Sequence, residues 1–166
     1  MMRTVWDFAI SAMMVQEIRP QTIIELGTCS GGSALWYADL QRLSGLSPNV
    51  VSMDIRPPTI QHEGVTFMQG DVNAIEDALP SALLERQPRP WIVIEDVHHN
   101  IAGVLNHFHR SLNTGDYLIV EDLDIESLLV PFLSKHPRQY MVDARYTDFF
   151  GHNATCAPDQ IFRRVS

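Results

Sequence analysis

TIIELGTCSGGSALWYA, residues 22–38, decides the reading of the whole chain. Thr22 to Leu26 form a β-branched and apolar run of strand length, bounded by a proline-containing segment and by Gly27. Gly27, Gly31 and Gly32 follow, and then Ala34, Leu35, Trp36 and Ala38 take up a helical rhythm. Strand, glycine turn and helix in that order bring loop backbone close to a ligand and leave the first helical N–H groups free to bind it. The spacing G-x-x-x-G-G is neither the dinucleotide pattern G-x-G-x-x-G nor a phosphate loop, because no Gly-Lys-Ser/Thr follows. Glu25, just before the first glycine, would repel a phosphate. The pattern E-x-G-x-x-x-G-G suits a cationic ligand instead. S-adenosylmethionine, which carries a sulfonium and an ammonium, is such a ligand.

Outward from this turn the chain alternates helix and strand. Residues 4–18 place Val5, Phe8, Ala9, Ala12, Met13 and Ile18 near one helical stripe, ended by Arg19-Pro20. The helix after the glycine turn runs to about Leu43, and VVSMDI, residues 50–55, is a second strand with Asp54 and Ile55 at its C-terminal end. Only about ten residues lead on to Val65-Thr66-Phe67-Met68, too few for a helical crossover, so one helical turn at most is expected there. Gln69-Gly70-Asp71 closes the third strand, and Asp71 or Asn73 caps a helix expected to reach Glu85. WIVIE, residues 91–95, reads as a central parallel strand buried on both faces, with Asp96, His98, His99 and Asn100 beyond its end. A helix from Ile101 to Leu112, a strand from Tyr117 to Val120 ending in Glu121-Asp122, and a helix from about Glu126 to Ser134 come next. Tyr140 to Tyr146 and Gln160 to Val165 read as a final strand pair with no helix between them, so one should run antiparallel. The expected fold is a single α/β domain with a mostly parallel seven-stranded sheet and one antiparallel strand near the C-terminus. Residues 1–21 form its short N-terminal helix and residues 22–166 its core.

A net charge of -8 disfavours a nucleic-acid partner, which needs clustered Lys and Arg. No apolar run approaches the roughly 20 residues that span a bilayer, and no signal-peptide layout opens the chain. Cys29 and Cys156 lack C-x-x-C spacing and read as free thiols in a reducing compartment, the cytoplasm by default.

In parallel α/β sheets ligands bind beyond the carboxyl ends of the strands, and Glu25, Asp54, Asp71, Asp96, Glu121 and Asp122 all fall there. Asp54 is placed to accept hydrogen bonds from both hydroxyls of a ribose, and Asp71 to meet an adenine amino group, cap a helix, or do both. Asp96, Glu121 and Asp122 would repel one another unless a cation compensates them or their pKa values rise, and hard divalent ions such as magnesium, calcium or manganese take such all-oxygen sites. His98 and His99 follow closely, and either imidazole could take a proton from a substrate hydroxyl near the cation.

Together IIELGTCSGGSALWYADL, VVSMDI with the later QGD, VIEDVHHN, GDYLIVEDL and the tail FFGHNATCAPDQIFRRV resemble the cephalosporin hydroxylase-like, class I S-adenosylmethionine-dependent methyltransferases, which include rhamnosyl and macrolide-sugar O-methyltransferases. The resemblance implies a Rossmann-like methyltransferase fold with the donor lying over GTCSGG. It implies that Glu25, Gly27, Thr28, Ser30, Gly31, Gly32, Ser33, Asp54, Ile55, Gly70, Asp71 and Asp96 bind the donor. By the same resemblance Asp96, Glu121 and Asp122 hold magnesium or another hard divalent cation, and His99 is the base, working beside Asp96. The expected activity is magnesium-assisted methylation of a small-molecule hydroxyl, on a sugar or natural product. Rival readings are an N-methyltransferase, a metal-free methyltransferase, and a non-catalytic donor-binding subunit. Only about 21 residues precede the first strand, fewer than such enzymes usually carry, so a homo-oligomer whose second copy completes the acceptor pocket is a further expectation.

Overall fold

The computed structural model describes residues 4–122, 128–158 and 160–166. Helix α1, Val5–Ile18, begins at a capping box in which Thr4 and Asp7 satisfy each other's backbone, and ends at Arg19 in a left-handed conformation. Three residues later the chain enters β1, Thr22–Leu26, so α1 descends from the carboxyl edge of the sheet to its amino edge. Its 14 residues span about 21 Å, enough to bring its first turn level with the far ends of the strands. After β1 come α2, Gly32–Leu43; β2, Val50–Asp54; and β3, Val65–Gln69. No helix joins β2 to β3, although they pair in parallel, as the short connection foreshadowed.

The helix expected between Asp71 and Glu85 is divided. A 3-10 turn, Val72–Ala74, is followed by α3, Ile75–Ala78, and by α4, Ser81–Leu84. Pro80 stands between the two helices, where it has no N–H to continue the ladder and holds Leu79 out of the helical region. Next follow β4, Trp91–Glu95; α5, Ile101–Ser111; β5, Tyr117–Val120; α6, Val130–Lys135; β6, Tyr140–Val142; α7, Ala144–Thr147; and β7, Ile161–Arg164. The expected start of a helix at Glu126 lies outside the described residues. The sixth strand stops four residues short of its expected end because Asp143 accepts the backbone N–H of Arg145 and opens α7. A short helix therefore separates the last two strands.

The sheet has the order β3-β2-β1-β4-β5-β7-β6, parallel throughout except for β7, which runs antiparallel to both neighbours. Each face is covered. Ile10, Met14, Ala34, Tyr37 and Ala38 of α1 and α2 pack with Ile23, Ile92 and Ile94, while Ile75, Leu105, Phe108 and Phe132 pack with Ile24, Met53 and Val93 on the other side. Every residue of β1 and β4 is buried, which explains why neither strand alternates polar and apolar residues. The order reverses between β1 and β4, and at such a switch point a cleft opens beyond the carboxyl ends.

Candidate functional site

A cavity of about 580 Å³ lies at that reversal, well within the range of small-molecule sites. Its floor is the turn between β1 and α2. Gly27 has φ of +102°, and a Cβ there would fall 2.6 Å from the carbonyl oxygen of Asp96, so no side chain fits between the two strand ends. Helix α2 starts without a side-chain cap, leaving its first N–H groups toward the cavity, which Gly32 and Ser33 line. Cys29 donates its N–H to Asp54 Oδ2 at 2.9 Å, and Arg56 donates to Oδ1 at 2.9 Å. The carboxylate at the end of β2 thus fixes the turn while keeping lone pairs for a ligand.

Gly27, Thr28, Ser30, Gly32, Ser33, Asp54, Ile55, Gly70, Asp71, Asp96, His98, His99 and Asp122 all line this cavity. Asp71 also caps the 3-10 turn by accepting the N–H of Asn73 at 2.8 Å, so its helix-capping and cavity-facing roles coexist. Cys29, Met53, Val72, Asn73 and Val97 line it too. Of these the sequence marked Cys29 only as a free thiol and Asn73 only as a possible helix cap, while the apolar Met53, Val72 and Val97 carry no chemical signal of their own.

Three expected residues stand elsewhere. Glu25 is fully buried beneath the turn, where Ser52 Oγ donates to its Oε2 at 2.5 Å and lies 2.6 Å from Thr28 Oγ1. It belongs to a polar cluster supporting the turn from below rather than to the cavity wall. Gly31 turns away from the cavity, and a Cβ on it would press against Ile60, Phe67 and Pro58. Glu121 continues the face of Tyr117 and Ile119, which α1 and α2 cover, because successive residues of extended chain point to opposite sides. It is buried and lines a separate cavity of about 20 Å³ with Asp7, Ser11, Thr155 and Cys156. Glu121 and Asp122 thus line different cavities.

Among the described residues, the group that stands beside Asp96 and Asp122 is His98. Asp96, His98 and Asp122 each bring a ligand atom within 4.8 Å of the others, and His98 Nε2 lies 3.4 Å from Asp96 Oδ1. Two carboxylates and one imidazole are a donor set that fits a divalent cation. His98 and Asp122 have φ values of 62° and 53°, left-handed conformations that cost a non-glycine residue roughly 1–2 kcal/mol each and must be held by their surroundings. Glu95 holds the first. Fully buried at the end of β4, it accepts the N–H groups of Val97 and His98, both at 3.0 Å, through Oε1. Burial pushes its carboxyl above the usual range, and those two N–H groups offset part of the rise. As the last residue of an apolar run, Glu95 carries no sequence signal that sets it apart from an ordinary strand end.

The geometry offers a nucleoside-sized cavity, a carboxylate beside a glycine turn and a charged cluster at one rim. Residues 1–144 match the family described as Rhamnosyl O-methyltransferase/CmcI. A Rhamnosyl O-methyltransferase of Mycobacterium tuberculosis (strain ATCC 25618 / H37Rv) is 27% identical over 169 residues, covering 88% of this chain and 68% of that protein. An apo structure of CmcI is 26% identical with a TM-score of 0.85, over 100% of this chain and 73% of that one. A CmcI structure with Mg and SAM is 25% identical with a TM-score of 0.77, over 100% of this chain and 74% of the other.

Proposed function

Because this chain belongs to the Rhamnosyl O-methyltransferase/CmcI family, we propose that it transfers a methyl group from S-adenosylmethionine to a hydroxyl of a small molecule, a sugar or a natural product, with a divalent cation assisting. The observation that carries the reading is the single cavity wall shared by the glycine turn, Asp54 and the cluster of Asp96, His98 and Asp122. The donor supplies an already reactive methyl, and magnesium at the cluster supplies charge neutralisation and acidifies a nearby hydroxyl.

The chain's own residues mainly position. Asp54 accepts from the ribose hydroxyls and Asp71 from the adenine amino group, while the turn from Gly27 to Ser33 supplies backbone to the rest of the donor. Asp96, Asp122 and His98 hold the cation. His99, exposed on the same wall, takes the acceptor proton as methyl transfer proceeds. Alignment of the acceptor oxygen with the methyl accounts for most of the rate, as in any reaction whose donor is activated in advance.

The test is incubation with methyl-labelled S-adenosylmethionine and a panel of rhamnosides and other glycosides, with magnesium and with chelator. Label should move to an acceptor oxygen only when the divalent cation is present. A protein that binds no S-adenosylhomocysteine by calorimetry would end this reading.

A further inference from the structure

We infer that Asp7, in the first turn of α1, is a positioning residue that holds Asp122 in the cluster across the sheet edge; the inference rests on reading that cluster as a cation site. Asp7 is buried at 4% exposure, although it sits in the opening turn of a helix, where an acid ordinarily faces water. Its two oxygens face different ways. Oδ2 turns back to Thr4, accepting from the backbone N–H at 2.9 Å and from the hydroxyl at 2.5 Å. That half completes the capping box, and the helix needs nothing more from the side chain.

Oδ1 is committed to the other end of the chain. It accepts from Thr155 Oγ1 at 2.9 Å and from the backbone N–H of Cys156 at 2.9 Å. The same Cys156 offers its carbonyl oxygen to the N–H of Asp122, at 2.9 Å. Asp7 is thus one residue, Cys156, away from the backbone of a cavity acid that follows it by more than a hundred residues. Asp122 needs such an anchor, since its left-handed backbone would relax toward an ordinary conformation once released. The loop is braced at a second point, where Ala157 accepts from Gln160 and Gln160 accepts from Val120 of β5. Freeing Oδ1 should therefore loosen the stretch nearest Asp122 without undoing the sheet.

The acid remains charged in this setting. Burial alone would raise its carboxyl, but the hydrogen bonds from Thr4, Cys156 and Thr155 together hold it below the usual value. An ionised acceptor makes these bonds stronger than an amide would, and a charged brace suits a residue that fixes geometry. Outer residues that orient metal ligands commonly carry 10–100-fold in metal affinity, which is the size of effect expected here.

Two halves of one carboxylate permit a test that separates capping from positioning. Manganese affinity is titrated by electron paramagnetic resonance with S-adenosylhomocysteine saturating, and S-adenosylhomocysteine affinity is measured separately by calorimetry. Asp7→Ala should weaken manganese binding by about tenfold or more while leaving S-adenosylhomocysteine affinity alone. Thr4→Val, which spoils only the cap, should lower Tm and leave manganese affinity as it was. Asp7→Asn keeps an oxygen for Thr155 and Cys156 and should restore most of the manganese affinity. Should Asp7→Ala fail to fold, Thr155→Val, which removes one tie and spares the cap, should show weakened manganese binding in its place. Wild-type manganese affinity in Asp7→Ala or in Thr155→Val overturns the inference, as does a loss in Thr4→Val equal to that in Asp7→Ala. A wild-type protein that binds no manganese overturns the cation reading and this inference together, whereas wild-type binding that survives Asp7→Ala overturns this inference alone.

Discussion

At the scale of single residues, Asp54 and the two adjacent histidines carry the sharpest expectations. Asp54 accepts one backbone N–H on each carboxylate oxygen, so it is held in place before any ligand arrives. Asp54→Ala should remove two hydrogen bonds to a ribose and release Cys29 from its left-handed conformation. Hydrogen bonds to a charged group contribute about 1.5–3 kcal/mol each, so the loss should reach about 3 kcal/mol, or roughly 100-fold in S-adenosylhomocysteine affinity. Isothermal calorimetry measures this directly, and an unchanged Kd would remove Asp54 from the ribose. His98 and His99 are neighbours in sequence with different surroundings, only the first lying among the ligand atoms of Asp96 and Asp122. His98→Ala should therefore raise the magnesium concentration needed for half-maximal turnover by about tenfold or more. His99→Ala should lower kcat by about 100-fold, the lower end of what a general base contributes, and leave magnesium dependence and donor affinity as they were. Steady-state kinetics with magnesium varied separates the two, and a swap of these phenotypes would exchange the assigned roles.

At the scale of elements, a ring cluster joins α5, α6, β6 and β7 at the edge of the sheet away from β3. His109 stacks on His136 with 3.6 Å between ring centres, and its Nδ1 lies 3.0 Å from the Tyr140 hydroxyl and 2.8 Å from an Arg164 nitrogen. Burial, then the nearby His136, Arg164 and Arg110, push the His109 imidazole down to about 4. The folded protein therefore keeps this ring neutral where the unfolded chain, near 6.5, would take a proton. Its contribution to stability is complete above pH 6.5 and is lost as the pH falls toward 4, because the unfolded state binds more protons across that window. His107 and His136 are shifted down as well and add in the same direction. Tm measured between pH 7 and 4 should fall as acid is added, and His109→Gln should reduce that slope; an equal slope would mean that His109 is not held neutral. These elements were partly legible in the sequence. Periodicity and the Asn113-to-Asp116 turn were enough to place α5 and β5, whereas α7 is a four-residue helix that Asp143 starts by a local hydrogen bond, inside a stretch whose β-branched and aromatic residues favour a strand. The break at Pro80 carried its own signal, but the helix-favouring residues on both sides of it masked the division into two short helices.

At the scale of the whole molecule, the mostly parallel seven-stranded sheet, its one antiparallel strand and the placing of acids at the carboxyl edge followed from the alternation of apolar runs and turns, whereas the strand order and the reversal beside β1 depend on long-range pairing that local sequence does not show. The direction in which each strand-end acid faces did not follow. Glu25, Glu95 and Glu121 sit among the same kinds of neighbour as Asp54, Asp96 and Asp122, yet they are buried inside or under the sheet while the aspartates line the cavity. Residue-to-residue alternation decides between them, and it can be counted only once the register is known. Nor could local sequence reveal that Asp7 meets Thr155 and Cys156, a contact made by the closing of the fold. That closure ties the cavity to the stability of the chain as a whole, since its walls come from the end of β2, from the turns after β1, β2, β3 and β4, from the start of α2, and from Asp122 after β5. A ligand that binds only the folded state stabilises it by about 2.7 kcal/mol at a concentration 100 times its Kd. For a chain of this size each kcal/mol moves Tm by about 2–4 °C, so S-adenosylhomocysteine at that excess should raise Tm by about 5–10 °C. Manganese should add a further rise that Asp122→Ala abolishes while leaving the nucleoside's own rise in place, and Asp54→Ala should do the reverse. Differential scanning fluorimetry on the four combinations of ligand reads both effects at once; if either substitution erased both rises equally, the cavity could not consist of a donor half and a cation half.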